Sequence, residues 1–387
     1  MPDGRDEPVL RLAESVAKIE RSAWEACAGH SNPSVSYDFL VAMERSGSVG
    51  RGTGWMPRPL MLESADGILL AAAPLYVKSH SYGEYIFDHG WADAYEKAGG
   101  RYYPKLLVGV PFTPVPGSRL LVRPGGDAPM HRRHLAEGLV AAAKQLEVSS
   151  LHINFPDATD SAVLTEVGLL QRVGTQYHWR NEGYKIFADF LTSLSSRKRK
   201  MIRKEREAAA QNGLVLKRLT GDEITPAHWK AFFRFYIDTS ERKWGSPYLT
   251  RGFFLRIGKT MADRILLVMA EQDGEPVAGA LNLIGRDTLY GRNWGSDGAY
   301  RFLHFEACYY QAIEFAIERG LARVEAGAQG EHKIGRGYLP VETRSFHYIV
   351  DRNFAAAVAD FLRREKAAVE DERDALAEYS PFRQSGD

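Results

Sequence analysis

Two pairs of segments in this chain repeat one pattern, and no other feature narrows the fold so far. The stretch LMLESADGILLAAAPLYV, from Leu60 to Val77, is echoed by LLVMAEQDGEPVAGALNLI, from Leu266 to Ile284. Each holds two apolar runs joined at an Asp-Gly pair (Asp66-Gly67 and Asp273-Gly274), a strong hairpin signal. Farther along, LAEGLVAAAKQLEVSSLHINF, from Leu135 to Phe155, parallels CYYQAIEFAIERGLARVEA, from Cys308 to Ala326. Both read as a helix, a polar break and a strand. Hairpin, helix and strand thus come twice in the same order, which implies duplication of one α/β unit.

The length agrees, because a single core seldom keeps growing beyond about 250–300 residues and this chain has 387. The expected cut gives a first domain over 1–190 and a second over 191–387. Hydrophobic residues make up 44% and charged residues 26%, enough for each half to bury a core of its own. Fifty basic residues stand against 49 acidic ones, so global charge draws the chain to neither nucleic acid nor anionic membrane, and only local patches could do so. Two cysteines, Cys27 and Cys308, cannot build a disulfide framework. Glu331, His332 and His347 lack recognised ligand spacing, so neither a metal nor a tightly bound cofactor is expected. The N-terminal MPDGRDEPVL lacks the apolar core of a signal peptide, and no stretch nears the apolar length of a membrane span. A cytoplasmic location without membrane insertion is the expectation.

Periodicity predicts helices over 8–28, from Ser36 through Met43, and over 131–147, 161–167, 226–243, 251–261, 301–319 and 354–378. Strands are expected over 60–63, 68–78, 151–155, 169–179, 265–271, 276–284, 289–294 and 322–326. Residues 79–131 read as an irregular excursion, whose aromatics (Tyr82, Tyr85, Phe87, His89, Trp91, Tyr95, Tyr102, Tyr103) either line an acceptor pocket or, the commoner case, pack the excursion itself. A basic helix begins at Ser195 or Ser196 and stops at Gly213, and Leu191 to Leu214 reads as one uninterrupted helix.

Four segments carry a family resemblance: PFTPVPGSRLLV (from Pro111), YGRNWG (from Tyr290), HFEACYYQ (from His304) and EAGAQGEHKIGRGYLP (from Glu325). They resemble a bacterial family of N-acyltransferases that is similar in turn to the Fem-type (FemAB/FemX-like) aminoacyltransferases of peptidoglycan synthesis. The resemblance runs from Pro33 to Pro381. It implies tandem duplicated GNAT-like (acyl-CoA N-acyltransferase) domains, each a mixed sheet flanked by helices. It also implies an N-acyltransferase, in which a primary amine directly attacks an activated acyl or aminoacyl donor. Fem-type proteins take aminoacyl-tRNA, whereas ordinary GNAT enzymes take acyl-CoA. On this basis the first domain serves the acceptor, the second serves the donor and carries most of the active site, and the chemistry lies in a cleft between them. The unbroken helix at Leu191–Leu214 departs from the longer Fem-type enzymes, which insert a helical arm.

In GNAT domains splayed strands aim a backbone N–H at the donor carbonyl, and a following helix N-terminus faces phosphate. Arg292, Trp294, Gly295 and Gly298 stand in that order here and are candidate donor contacts, although the second glycine falls one position late for the phosphate loop. An ordinary strand-to-helix turn explains the glycines equally well. Glu306 follows two aromatics, so it is either a base of raised pKa or a carboxylate favouring the helix dipole. The loop after Glu325 is the strongest candidate. Gly327, Gly330, Gly335 and Gly337 alternate there with Gln329, Glu331, His332, Lys333 and Arg336. Glu331 and His332 are candidate bases, while Gln329, Lys333 and Arg336 are candidate donor contacts. Cys308 reads as core.

RKRKMIRKER, residues 197–206, carries seven basic residues against one acid. A solvated helix face is one reading, and contact with tRNA phosphates, through Arg199 and Arg203 in particular, is the other. The intact basic run and the displaced glycine favour aminoacyl-tRNA over acyl-CoA. A non-catalytic binder of tRNA or of a cell-wall precursor is the rival of a different class. Acyl group, acceptor and oligomeric state, monomer or homodimer, are not legible.

Overall fold

The computed structural model describes residues 7–244, 247–327 and 330–383. The chain opens on strand β1 (Val9–Leu12) and helices α1 (Arg21–Ala28) and α2 (Tyr37–Arg45). Strands β2 (Trp55–Pro57), β3 (Leu60–Glu63), β4 (Leu69–Ala73) and β5 (Leu75–Lys78) follow, then α3 (His89–Lys97), β6 (Lys105–Val108) and β7 (Leu121–Val122). Next come α4 (Ala128–Gln145), β8 (Ser150–Asn154), α5 (Ala158–Glu166) and β9 (Leu170–Arg180). Helices α6 (Phe187–Ser193) and α7 (Ser196–Ala210) lead to β10 (Val215–Thr220), α8 (Pro226–Trp244) and α9 (Arg251–Thr260). Strands β11 (Ile265–Gln272), β12 (Glu275–Ile284) and β13 (Thr288–Ser296) precede α10 (Leu303–Phe305), a π-helical turn over Glu306–Tyr310, and α11 (Gln311–Glu318). The chain closes with β14 (Arg323–Glu325), β15 (Leu339–Ile349) and α12 (Arg352–Ala377).

Two compact units result. The first comprises Met1–Gly174 and Glu342–Glu370, the second Thr175–Val341 and Asp371–Asp387. This differs from a single cut at 190/191, and the pairing explains why. Strand β9 follows β8 in the chain but pairs with β14 in the second unit, through Arg180, Trp179 and His178. Strand β15 follows β14 but pairs with β8 in the first unit, from Ser345↔Asn154 to Ile349↔Ser150. Each unit therefore ends its sheet with a strand that the sequence order assigns to the other half.

The duplication holds strand for strand. In the second unit the order β10-β11-β12-β13-β14-β9 has antiparallel neighbours except at β13 and β14, which are parallel. In the first unit β1 pairs with β3, β3 with β4, β5 with β6 and β8 with β15, all antiparallel, while β6 and β8 are parallel. One break separates the two patterns. Where β12 runs on for ten residues, its counterpart stops at Ala73 and restarts at Leu75. Pro74 lies between, and proline has no N–H to offer a ladder. The first unit consequently holds two sheets, β1-β3-β4-β7 and one containing β2, β5, β6, β8 and β15.

The core of each unit forms where the crossover helix covers the parallel pair. Leu135, Leu139 and Ala143 of α4 pack with Leu106, Val108, Leu151 and Ile153. Ile313 and Ala316 of α11 pack with Leu289, Val324 and Trp179. Each buried Leu or Ile contributes about 1.5–3 kcal/mol relative to exposure, so these helices are fixed by packing.

Four local expectations are corrected. Residues 8–28 form strand β1, a 3₁₀ turn and then α1, because the start of the chain pairs with β3. The excursion over 79–131 hides α3 and β6. Leu191–Leu214 is two helices, α6 and α7, separated at extended Leu194 and Ser195. Strand β15, not foreseen at all, is held by its pairing with β8. The hairpins at Asp66-Gly67 and Asp273-Gly274 form as expected, as does α2 with Ser36 capping the Phe39 amide.

Candidate active site

In the second unit, β13 and β14 pair only over Thr288–Tyr290 and Arg323–Glu325. Gly291 is the last point of close approach, where an added Cβ would sit 3.2 Å from the Glu325 carbonyl oxygen. Beyond it β13 bulges. Gly291 faces Asn282 and Asn293 faces Leu281, so Arg292 is the extra residue in the register with β12. A cavity of about 100 Å³ opens at this parting. Asn282, Arg292, Asn293 and Trp294 line it from the strands, with Ala326 just past β14, and His304, Cys308 and Tyr309 line it from the following helix.

That helix owes its aim to the π-helical turn. Its wider winding accommodates one extra residue, a feature frequent at functional sites. The turn brings half-exposed Cys308 and buried Tyr309 to the cavity wall. The sequence reading placed Cys308 in the core. The Tyr309 hydroxyl is hydrogen-bonded to His332 Nε2 at 3.0 Å, and the His332 ring leans on Phe305 at 5.7 Å. His332 is exposed at its outer edge, but the partial burial of its ring, then the nearby Arg336 and Lys333 charges, hold it below the ordinary histidine pKa, so the imidazole is neutral at pH 7. Burial likewise raises Tyr309 and keeps the phenol protonated.

The predicted residues divide. Arg292 and Trp294 line the cavity, and His332 reaches it through Tyr309. Glu331 is exposed. Lys333 is buried, lowered to about 8 by its burial, and its ammonium donates to the Gly327 carbonyl at 3.0 Å. It braces the loop from within, where an outward anion contact was expected. Arg336 is corrected in the same sense. Its guanidinium is clasped by Glu205 of α7 at 3.1 and 2.6 Å in a buried ion pair. Glu306, expected as a base, accepts both prongs of Arg206 at 3.1 and 2.9 Å and a Gln311 amide at 2.8 Å. With both oxygens engaged it anchors α7 to the π-helical turn. Gln329 lies outside the described residues.

The glycine turn is also explained by packing. Gly295 and Gly279 are register partners beneath α8, and a Cβ on Gly295 would come within 2.3 Å of the Phe235 carbonyl oxygen. Gly298 abuts the Tyr300 ring, and its carbonyl accepts from Ser296. Arg292, Gly295 and Gly298 thus have three separate sets of neighbours. On α7, Arg203 is exposed beside Arg197, Lys200 and Lys204, while Arg199 is half-buried. The cations form one solvated face, and Ile202, Glu205 and Ala209 form the buried one.

The equivalent parting in the first unit is closed. Strands β6 and β8 pair over Leu106–Val108 and Leu151–Ile153, and the chains meet again at Gly117 and Pro156. Arg119, fully buried, donates to the carbonyls of Asn154 at 2.8 Å, Gly117 at 3.2 Å, Ser118 at 3.1 Å and Val115. No sequence signal separated this buried arginine from a surface one.

Two α/β units of one topology, with a cavity at the strand parting of the second and the hydrogen-bonded Tyr309 and His332 at its wall, give a tandem acyltransferase-type fold with a candidate site. The sequence matches the FemAB-like family, described as peptidoglycan biosynthesis/recognition, over residues 15–384, and the chain belongs to that family. Solved structures of similar fold include FemX, at 12% identity and TM-score 0.53, with 88% of this chain and 98% of that one covered. L-PGS from Bacillus licheniformis is similar at 12% identity and TM-score 0.51, with 86% and 97% covered. A search of the curated proteins returns no match. Among the described residues no helix is long and apolar enough to cross a membrane.

Proposed function

We propose that the protein is a cytoplasmic N-acyltransferase that moves an aminoacyl or acyl group onto the primary amine of a peptidoglycan precursor, with the chemistry in the second unit's cavity. The observation that carries this is the Tyr309–His332 hydrogen bond at the wall of the cavity where β13 parts from β14. The neutral amine attacks the donor carbonyl carbon, and a C–N bond forms. Arg292 offers positive charge to the oxyanion as the carbonyl opens. The amine's excess proton passes to the Tyr309 hydroxyl as that hydroxyl gives its own to His332 Nε2. The pair then returns a proton to the leaving group as the C–O bond to ribose, or the C–S bond to CoA, breaks. A neutral imidazole joined to a protonated phenol suits both directions of transfer.

Family membership and the peptidoglycan description support the acceptor class. The exposed cations of α7 support aminoacyl-tRNA as donor. The separate surroundings of Arg292, Gly295 and Gly298 give acyl-CoA no phosphate loop of the usual kind. The deciding experiment supplies alanine-charged tRNA or acetyl-CoA together with a lysine-containing stem peptide. We expect amine-dependent deacylation of the tRNA, slowed about 10²–10³-fold in Tyr309→Phe. Turnover of acetyl-CoA alone would reassign the donor. Binding of charged tRNA or peptide with no turnover of either donor would leave a recognition protein.

A further inference from the structure

We propose that Glu205, on the inner face of the basic helix, is a positioning residue that holds His332 against Tyr309 through Arg336. The inference rests on the reading of His332 as proton acceptor. Its starting point is an oddity of α7: within RKRKMIRKER the single acid is buried while Arg203 and Lys204 beside it are exposed. A helix that presents cations to water turns its one carboxylate inward only where a partner compensates the desolvation.

Two side chains meet that carboxylate. Arg336 donates to both oxygens, at 3.1 and 2.6 Å, and the Tyr310 hydroxyl donates to Oε2. The same guanidinium donates through Nη1 to the backbone carbonyl of His332 at 2.6 Å. It also lies flat on Phe305, 3.5 Å from the ring centroid, and Phe305 is stacked with Tyr309 and tilted against His332. One carboxylate therefore fixes the orientation of a fork whose remaining contacts set both the main chain and the ring environment of His332. Through Tyr310 it also ties that fork to the π-helical turn carrying Tyr309. A two-pronged carboxylate–guanidinium pair specifies direction, which a single contact does not. The loop around His332 has glycines at 327, 330, 335 and 337, and apart from the 3₁₀ turn over Glu331–Arg336 and the Lys333–Gly327 hydrogen bond, the Arg336 fork is what ties it to the rest of the unit.

The test uses the full-length protein with ¹⁵N-labelled histidine, the His332 signals being assigned with His332→Asn. In Glu205→Gln the His332 Nε2 signal is expected to lose its hydrogen-bonded shift. The kcat for alanyl-tRNA consumption is expected to fall about 10- to 100-fold, with KM changed less than about twofold. The double variant Glu205→Gln/His332→Asn should be no slower than His332→Asn alone. Unmoved His332 signals in folded Glu205→Gln overturn the proposal, as does a double variant slowed by the full Glu205→Gln factor. Moved signals in Glu205→Gln, with His332→Asn as fast as wild type, uphold the positioning and overturn the assignment of His332 as proton acceptor. Should Glu205→Gln fail to fold, Glu205→Asp and Arg336→Lys carry the same measurements, since each keeps the charge while the first withdraws the carboxylate by one methylene and the second removes the fork.

Discussion

The two partings of parallel strands in this protein have one topology and opposite contents. Between β6 and β8 a buried arginine fills the gap and satisfies four backbone carbonyls. Between β13 and β14 the gap stays open, lined by Arg292, Cys308 and Tyr309. The difference teaches that duplication copies a scaffold and not a site. Strand order and the crossover helix survive in both units, because each must bury its own core. The side chains at the parting carry no such obligation, so one copy is a structural joint and the other a candidate reaction chamber.

Breaking the joint should have the largest effect on stability. Arg119→Met strands the carbonyls of Val115, Gly117, Ser118 and Asn154, and a stability loss of about 3–5 kcal/mol is expected in urea titration. If instead the loss is small and a new amine-transfer activity appears, the two partings differ less than their side chains suggest. Breaking the chamber should spare stability and strike rate. Tyr309→Phe keeps the packing and removes the hydroxyl, so kcat should fall about 10²–10³-fold with stability altered by less than about 1 kcal/mol. The pH profile sharpens this. His332 accepts a proton only while neutral, and its folded pKa lies below 6.5. The rate should therefore hold through neutrality and decline only on acidification past that ordinary value; a decline centred above pH 7 would assign the limb to another group.

The first unit has its own charge signature, smaller in size. Lys78 is buried with Lys105, Glu84 and Asp88, and burial lowers it to about 7 from 10.5. Between those two values the unfolded chain holds a proton that the folded chain has released, so stability rises with pH across that window. Lys78→Met should remove one proton's worth of that slope, about 1.4 kcal/mol per pH unit, in denaturant midpoints compared at pH 7.5 and 9. An unchanged slope would show that Lys78 stays charged. The smallest structural effect is expected on α7. Replacing Arg199 and Arg203 by Ala should leave stability within about 0.5 kcal/mol per site and lower the log–log salt slope of tRNA binding by roughly 0.7–0.9 for each phosphate no longer neutralised. An unaltered slope would make that face a solvated one and remove the main support for a tRNA donor.

The sequence by itself determined the duplication, the α/β class, both Asp-Gly hairpins, the basic helix from Ser196, and the loop that holds His332. These are local quantities: turn chemistry, apolar period and charge runs act over a few residues and show in the order of letters. The exchange of β9 and β15 lay beyond it, because strand partners are chosen by hydrogen bonding between residues far apart in the chain. So did the fates of the charges. Glu306 reads as a candidate base, Arg336 as a candidate donor contact and Glu205 as one letter of a basic run, until α7 is laid against the π-helical turn and desolvation forces them into pairs. Cys308 reads as core in the sequence, and only the wider turn, packed against β11 and β12, carries it and Tyr309 to the cavity. A carboxylate's role depends on what shares its buried space, and that is decided by tertiary structure alone.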